Sequence, residues 1–190
     1  MVRPLLIAVL LGIASGAARA QACRDIRQFD FRNAAIPVAA RDEAGDDSGP
    51  DSFSLHYGKG FESDGLPGAH DWSLELLSDQ LEHPDPSTWI RVIVVDMDHV
   101  TGSGDWRYVM AFTCKNGSLD SVFPYGAPGV ALERLTERTM KLYVAVETES
   151  DPECCPSGHK DIAYRSNAQR HRYRKVSSIT GPGFNPSKMN

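Results

Sequence analysis

Several chemistry-bearing patterns are missing from this 190-residue chain. It has no Cys-x-x-Cys, the spacing that lets a thiol oxidoreductase lower a thiolate pKa and close an unstrained active disulfide. It has no His-Glu-x-x-His, and its six histidines, at 56, 70, 83, 99, 159 and 171, form no zinc-protease motif. Gly102-Ser103-Gly104 is not the Gly-x-Ser-x-Gly nucleophile elbow and reads as a tight turn between strands. Basic charge is in deficit, with 20 Lys+Arg against 25 Asp+Glu, so the footprint for nonspecific nucleic-acid binding is lacking. Past residue 20 no apolar run approaches the ~20 residues of a membrane-crossing helix. Cysteine is scarce too, with four residues: Cys23, Cys114, Cys154 and Cys155.

What is present begins with an export pattern. Arg3 gives a positive start, Leu5 to Ala14 an apolar stretch, and Ala18-Arg19-Ala20 a small-x-small cleavage site, so residues 1–20 read as a signal peptide and the mature chain starts at Gln21. Lipid attachment at Cys23 is the alternative, but the preceding Ala20-Gln21-Ala22 lacks the Leu expected three places upstream. Removing Arg3 and Arg19 leaves a net charge of −7, which favours solubility. A periplasmic or secreted protein is expected.

The mature chain has the size of one domain. Trp89 to Val95 is almost continuously apolar and rich in Val and Ile, as a strand buried on both faces requires. Trp106, Tyr108, Met110, Phe112 and Cys114 fall on alternate positions, so they share one large inward face. Asn116-Gly117 is a strong hairpin signal, with Leu119 to Tyr125 returning as the partner. Val130 to Leu135 suits helix or strand, whereas Met140, Leu142, Val144 and Val146 alternate as a strand. Lys160–Arg165 and Arg170–Val176 form another candidate hairpin. Phe29-Asp30-Phe31 and Phe53 to Tyr57 are possible strands, Trp72 to Leu77 strand or short helix, and His83-Pro84-Asp85-Pro86 a stop. Residues 41–52 carry five carboxylates and read as a solvated loop, without the alternate-ligand spacing of a calcium loop. The expectation is a mainly β protein: a single compact antiparallel domain over 21–176, sandwich or open barrel, with at most one or two short helices and a mobile tail at 177–190.

In an exported chain the four cysteines are expected to be oxidised, and four cysteines allow three complete pairings. Adjacent Cys154 and Cys155 have Cα atoms about 3.8 Å apart, below the usual disulfide span of roughly 4.4–6.8 Å. The favoured arrangement therefore bridges the doublet separately to Cys23 and Cys114, with sulfur structural rather than redox-active. No cofactor is implied. A metal at Cys154, Cys155 and His159 is disfavoured, since zinc sites space their cysteines by two or more residues.

The segment from Gly102 to Phe112, then Lys115-Asn116-Gly117, the strand at Met140 to Val146, and Asp151-Pro152-Glu153-Cys154-Cys155-Pro156-Ser157-Gly158 with Tyr164 together resemble exported bacterial domains of the LppP/LprE-like type. Phe29 to Asn33 is similar to a segment common in such proteins. The resemblance covers about residues 88–176 and implies a compact, mainly β exported domain; it implies no reaction. Where relatives carry an Asp-Leu-Asn-Gly-Asp-Gly-like turn, this chain has His83 to Thr88, so no calcium site is carried over.

Two functional readings follow. The first is a non-catalytic envelope protein, a binding module of the inhibitor or immunity type. Its candidate face is Arg170, Arg172 and Arg174, which share one side of a strand, although an edge strand guarded by charge explains the same residues. Its partner is then another envelope protein, not nucleic acid. The second is a periplasmic hydrolase with a triad assembled from separated segments, since sequence order does not exclude one. His70-Asp71 and Asp98-His99 are its adjacent pairs.

Overall fold

Strand β5 (Thr88–His99) is apolar on both sides and therefore needs two covers. The computed structural model of the chain, which describes residues 22–38, 52–63, 71–100, 105–152, 155–167 and 172–189, supplies both. β5 is the centre of an antiparallel sheet ordered β3-β4-β5-β6-β7, with β3 at Lys59–Glu62, β4 at Trp72–Asp85, β6 at Asp105–Lys115 and β7 at Ser118–Ala127. Ile90, Val92 and Val94 face one side; Ile93, Val95 and Met97 face the other.

One cover is a second antiparallel sheet, β11-β10-β9-β8, built from β8 (Val130–Leu135), β9 (Thr139–Val146), β10 (Gly158–Asn167) and β11 (Arg172–Pro182). Its Val130, Met140, Leu142, Val144, Ile162 and Tyr164 pack against Val92, Val94, Val109, Ala111, Phe123 and Tyr125 of the first sheet. The two sheets form a sandwich joined at Pro128-Gly129, where Gly129 takes a positive φ of 57°.

The other cover is the N-terminal segment. Cys23, Ile26, Phe29, Phe31 and Ala34 lie on the outer face of the first sheet, followed by the short pair β1 (Ala35–Pro37) and β2 (Ser52–Ser54) with Ile36 opposite Phe53. Phe31 is fully buried, 4.8 Å from the Phe29 ring and 5.5 Å from Phe112. Arg91 ties strap to sheet: its guanidinium pairs with Asp79, donates to the Arg27 carbonyl at 3.3 Å and sits over the Phe31 ring. The Cys23–Cys114 disulfide, with Cα atoms 5.3 Å apart, closes the end of the strap.

Much of the expected pattern is present: both-sided burial of β5, the shared face of Trp106 to Cys114 on β6 packed against apolar residues, and the Asn116-Gly117 turn with both φ positive, at 53° and 80°. The opposite face of β6 is buried as well, through Val109 and Ala111. Four expectations are corrected. Phe29 to Phe31 is not a strand, because Asp25 and Asp30 cap 3-10 turns at Ile26–Gln28 and Phe31–Asn33 by accepting the amides two residues on. The Phe53 strand ends at Ser54; Tyr57 and Gly58 take positive φ and turn the chain into β3. His83 and Pro84 do not stop β4, which carries Pro84 within an irregular pairing at its end. Ser177 does not begin the tail: β11 pairs with β10 as far as Pro182, and a 3-10 turn follows at Pro186–Met189. Residues 1–20, expected to be a signal peptide, residues 41–51 of the expected acidic loop 41–52, and Gly102–Gly104 lie outside the described residues.

If the strap is held as described, Cys23→Ser together with Cys114→Ser lowers unfolding stability by about 2–5 kcal/mol in urea titration. Phe31→Ala costs about 3–5 kcal/mol by the same measurement, because a fully packed ring leaves a cavity.

Candidate binding edge of the second sheet

β10 and β11 form a long hairpin whose inward residues, Ile162, Tyr164 and Tyr173, meet the inter-sheet core; the Tyr173 ring lies 5.8 Å from Phe123. Burial, with Glu82 adding to it, pushes the Tyr173 hydroxyl up to about 12. Alternation then turns Arg172 and Arg174 outward. Past Lys175 one extra residue, Val176, bulges out between the Tyr164–Lys175 and Ala163–Ser177 pairs, so Ser177 and Ile179 continue the outward face.

β11 is an edge strand and is exposed along nearly its whole length, Ile179 to 65%. Arg172 reaches round to β7, where it donates to the Ser121 carbonyl and lies 3.8 Å from Asp120. Arg174 stands directly opposite Arg165 on β10. On the same outer face Arg134 of β8 stands opposite Lys141 of β9, and Lys141 is the diagonal neighbour of Arg165. All four are exposed, and among the described residues none has an ion-pair partner. Like charges placed directly opposite each other cost roughly 0.2–1 kcal/mol per pair. The result is an unneutralised diagonal across the four strands, about 14 Å at ~4.8 Å per strand, on a protein of net acidic charge.

Another part of that outer face, around Tyr143, is covered. The C-terminal segment crosses it, stacking Phe184 on Tyr143, which is itself stacked on His159. The Asn185 amide donates to the Tyr143 hydroxyl at 2.6 Å, His159 Nδ1 meets the Gly183 carbonyl at 2.9 Å, and Lys188 bonds Glu133 at 2.6 Å. Arg107 holds the end of the segment through the Met189 carbonyl at 2.8 Å.

Of the sequence-predicted face, Arg172 and Arg174 are thus brought together with Arg165, while Arg170 lies outside the described residues. Arg134 and Lys141 were missed. Lys141 sits on the polar side of an alternating strand and was visible in principle; Arg134 was hidden because β8 shifts register between Leu132 and Arg134.

The cysteine arrangement is also corrected. Cys23 bonds Cys114, not the doublet. Cys114 belongs to the face of β6 that meets the strap, whereas residues 147–157 link β9 to β10 in the second sheet, on the opposite side of the first. The disulfide also occupies the Cys23 sulfur that a thioether lipid would need. Cys155 is exposed, and Cys154 lies outside the described residues. Asp151 clasps the link, its Oδ2 accepting the Thr148 amide at 2.7 Å and the Ser157 amide at 2.8 Å. The Ser157 hydroxyl, then these amides, holds its carboxyl down at about 2. No group of three or more metal-ligating side chains occurs among the described residues.

No protein-family model, curated protein or solved structure matches the chain.

The lowered Asp151 pKa sets a direction. Its contribution is complete above the ordinary carboxylate range near 3.9 and is lost as pH falls through about 2. Protection of the Thr148 and Ser157 amides, relative to their intrinsic exchange rate at each pH, should therefore hold at pH 5 and fall as pH drops through about 2, while Asp151→Asn lowers it at pH 5 as well.

Proposed function

We propose that this protein is an exported, non-catalytic binding module of the cell envelope, of the type that inhibits or neutralises a partner protein. The observation that carries this reading is the unneutralised cationic diagonal Arg134, Lys141, Arg165 and Arg174 beside the exposed edge of β11. Cross-strand like charges work against folding, and such a cost is retained where the charge serves recognition. Export is supported by the signal-like residues 1–20 and by the Cys23–Cys114 disulfide, a bond suited to an oxidising compartment. Two of the described histidines make packing contacts: His83 stacks on Trp89 at 4.3 Å, and His159 is held between Tyr143 and the Gly183 carbonyl.

The test is affinity capture from periplasmic extract, with Arg165→Glu/Arg174→Glu as the matched control. A protein recovered by the native chain and lost with the charge-reversed one is expected. Equal recovery by both, or none by either, sinks the reading.

A further inference from the structure

Edges are where a β sandwich is open to another chain, and among the described residues three of the four edges of its two large sheets are blunted. β3 has only four residues. β7 is capped by Arg172 at the Ser121 carbonyl. β8 has six residues and is overlaid by the C-terminal turn, with Lys188 on Glu133 and Arg107 holding both the Val130 and Met189 carbonyls. β11 is different. It runs for 11 residues, is exposed on both faces for most of them, and has no strand beyond it among the described residues.

We propose that β11 is a docking edge for an extended acidic segment of a partner protein, which joins the second sheet as a fifth strand. This deepens the binding-module reading and rests on it. An added strand places alternate side chains on the outer face, about 5 Å from Arg172, Arg174, Ser177 and Ile179. A carboxylate opposite Arg174 neutralises the charge that Arg165 and Lys141 reinforce from behind, while Arg172 stays on Asp120 and the Ser121 carbonyl. An apolar side chain meets Ile179, 65% exposed, while Val176, 45% exposed, offers a second contact at the bulge. The arginines thereby act as a filter: a basic or uncharged strand leaves the like-charge pairs uncompensated, and an acidic one relieves them. β11 is already paired with β10 along its length, so only the incoming segment has to be ordered.

The experiment uses the full chain from Gln21 with its disulfide intact, isotopically labelled. The probe is a roughly ten-residue peptide of alternating Glu and Val, with the same peptide N-methylated on alternate amides, inorganic polyphosphate and anionic phospholipid vesicles as the other arms. Binding of the unmodified peptide should slow amide exchange at alternate residues of Arg172–Pro182. Affinity should fall roughly tenfold or more with Arg165→Glu/Arg174→Glu, and again on N-methylation, which leaves the charge in place. Equal binding of the N-methylated peptide, tighter binding of polyphosphate or vesicles, or no binding at millimolar peptide each overturns the proposal. So does concentration-dependent pairing of β11 with a second copy. If the capture experiment yields a charge-dependent partner whose complex leaves the β11 amides unprotected, the docking mode fails while the binding reading stands.

Discussion

The structure depends on a sheet that cannot be left bare on either side. β5 and β6 present large apolar side chains alternately to both faces, with Ile93, Val95, Tyr108, Met110 and Phe112 on one and Val92, Val94, Val109 and Ala111 on the other. Neither face can be returned to water without losing on the order of 2 kcal/mol per large side chain. The chain meets the requirement in two ways. After β7 it folds a second meander over one face. Before β3, the described residues 22–38 and 52–58 cover the other face with two 3-10 turns and the short β1–β2 pair. They are held to the sheet by Phe31, the Arg91–Asp79 pair and the Cys23–Cys114 bridge.

The elements most legible in the sequence were those governed by alternation. The doubly apolar run at Trp89 and the aromatic series ending at Cys114 announced a buried strand and an inward face. Asn116-Gly117 announced its own turn. What could not be read was the identity of the covering element. Alternation places Cys114 on a face but does not say what lies against it, and so the bridge was assigned to the doublet. Bulges hid the rest. The extra residues at Leu77, Val122 and Val176 flip the phase of their strands, so faces inferred from one end of a strand do not carry to the other. The tail misled for another reason. Gly181, Pro182 and Gly183 are turn-formers by composition, yet Gly181 lies opposite His159, whose ring approaches so closely that a Cβ there would be 2.9 Å from it.

The candidate edge was half visible. Arg172 and Arg174 could be placed on one strand face, and a charged edge strand was the competing explanation for them. The two descriptions converge, since charges that deter indiscriminate pairing also select a partner of opposite sign. Arg165, Lys141 and Arg134 extend the feature inward across three successive strands, and the register shift between Leu132 and Arg134 decides which face Arg134 takes. The C-terminal clasp over Tyr143 then divides the outer face into a covered half and a cationic half. It is assembled from residues at 133, 143, 159 and 184–188, with no local pattern to advertise it.

The bridge between residues 23 and 114 spans 91 positions and encloses the strap, the carboxylate-rich stretch after Val38 and the first sheet as far as the end of β6. A protease that nicks the chain anywhere inside that covalent ring therefore releases nothing. The fragments remain one molecule, the strap stays fastened to the sheet it shields, and only reduction separates them. In an extracellular setting rich in hydrolases, a cut in the outermost layer is thus converted from a loss into a scar.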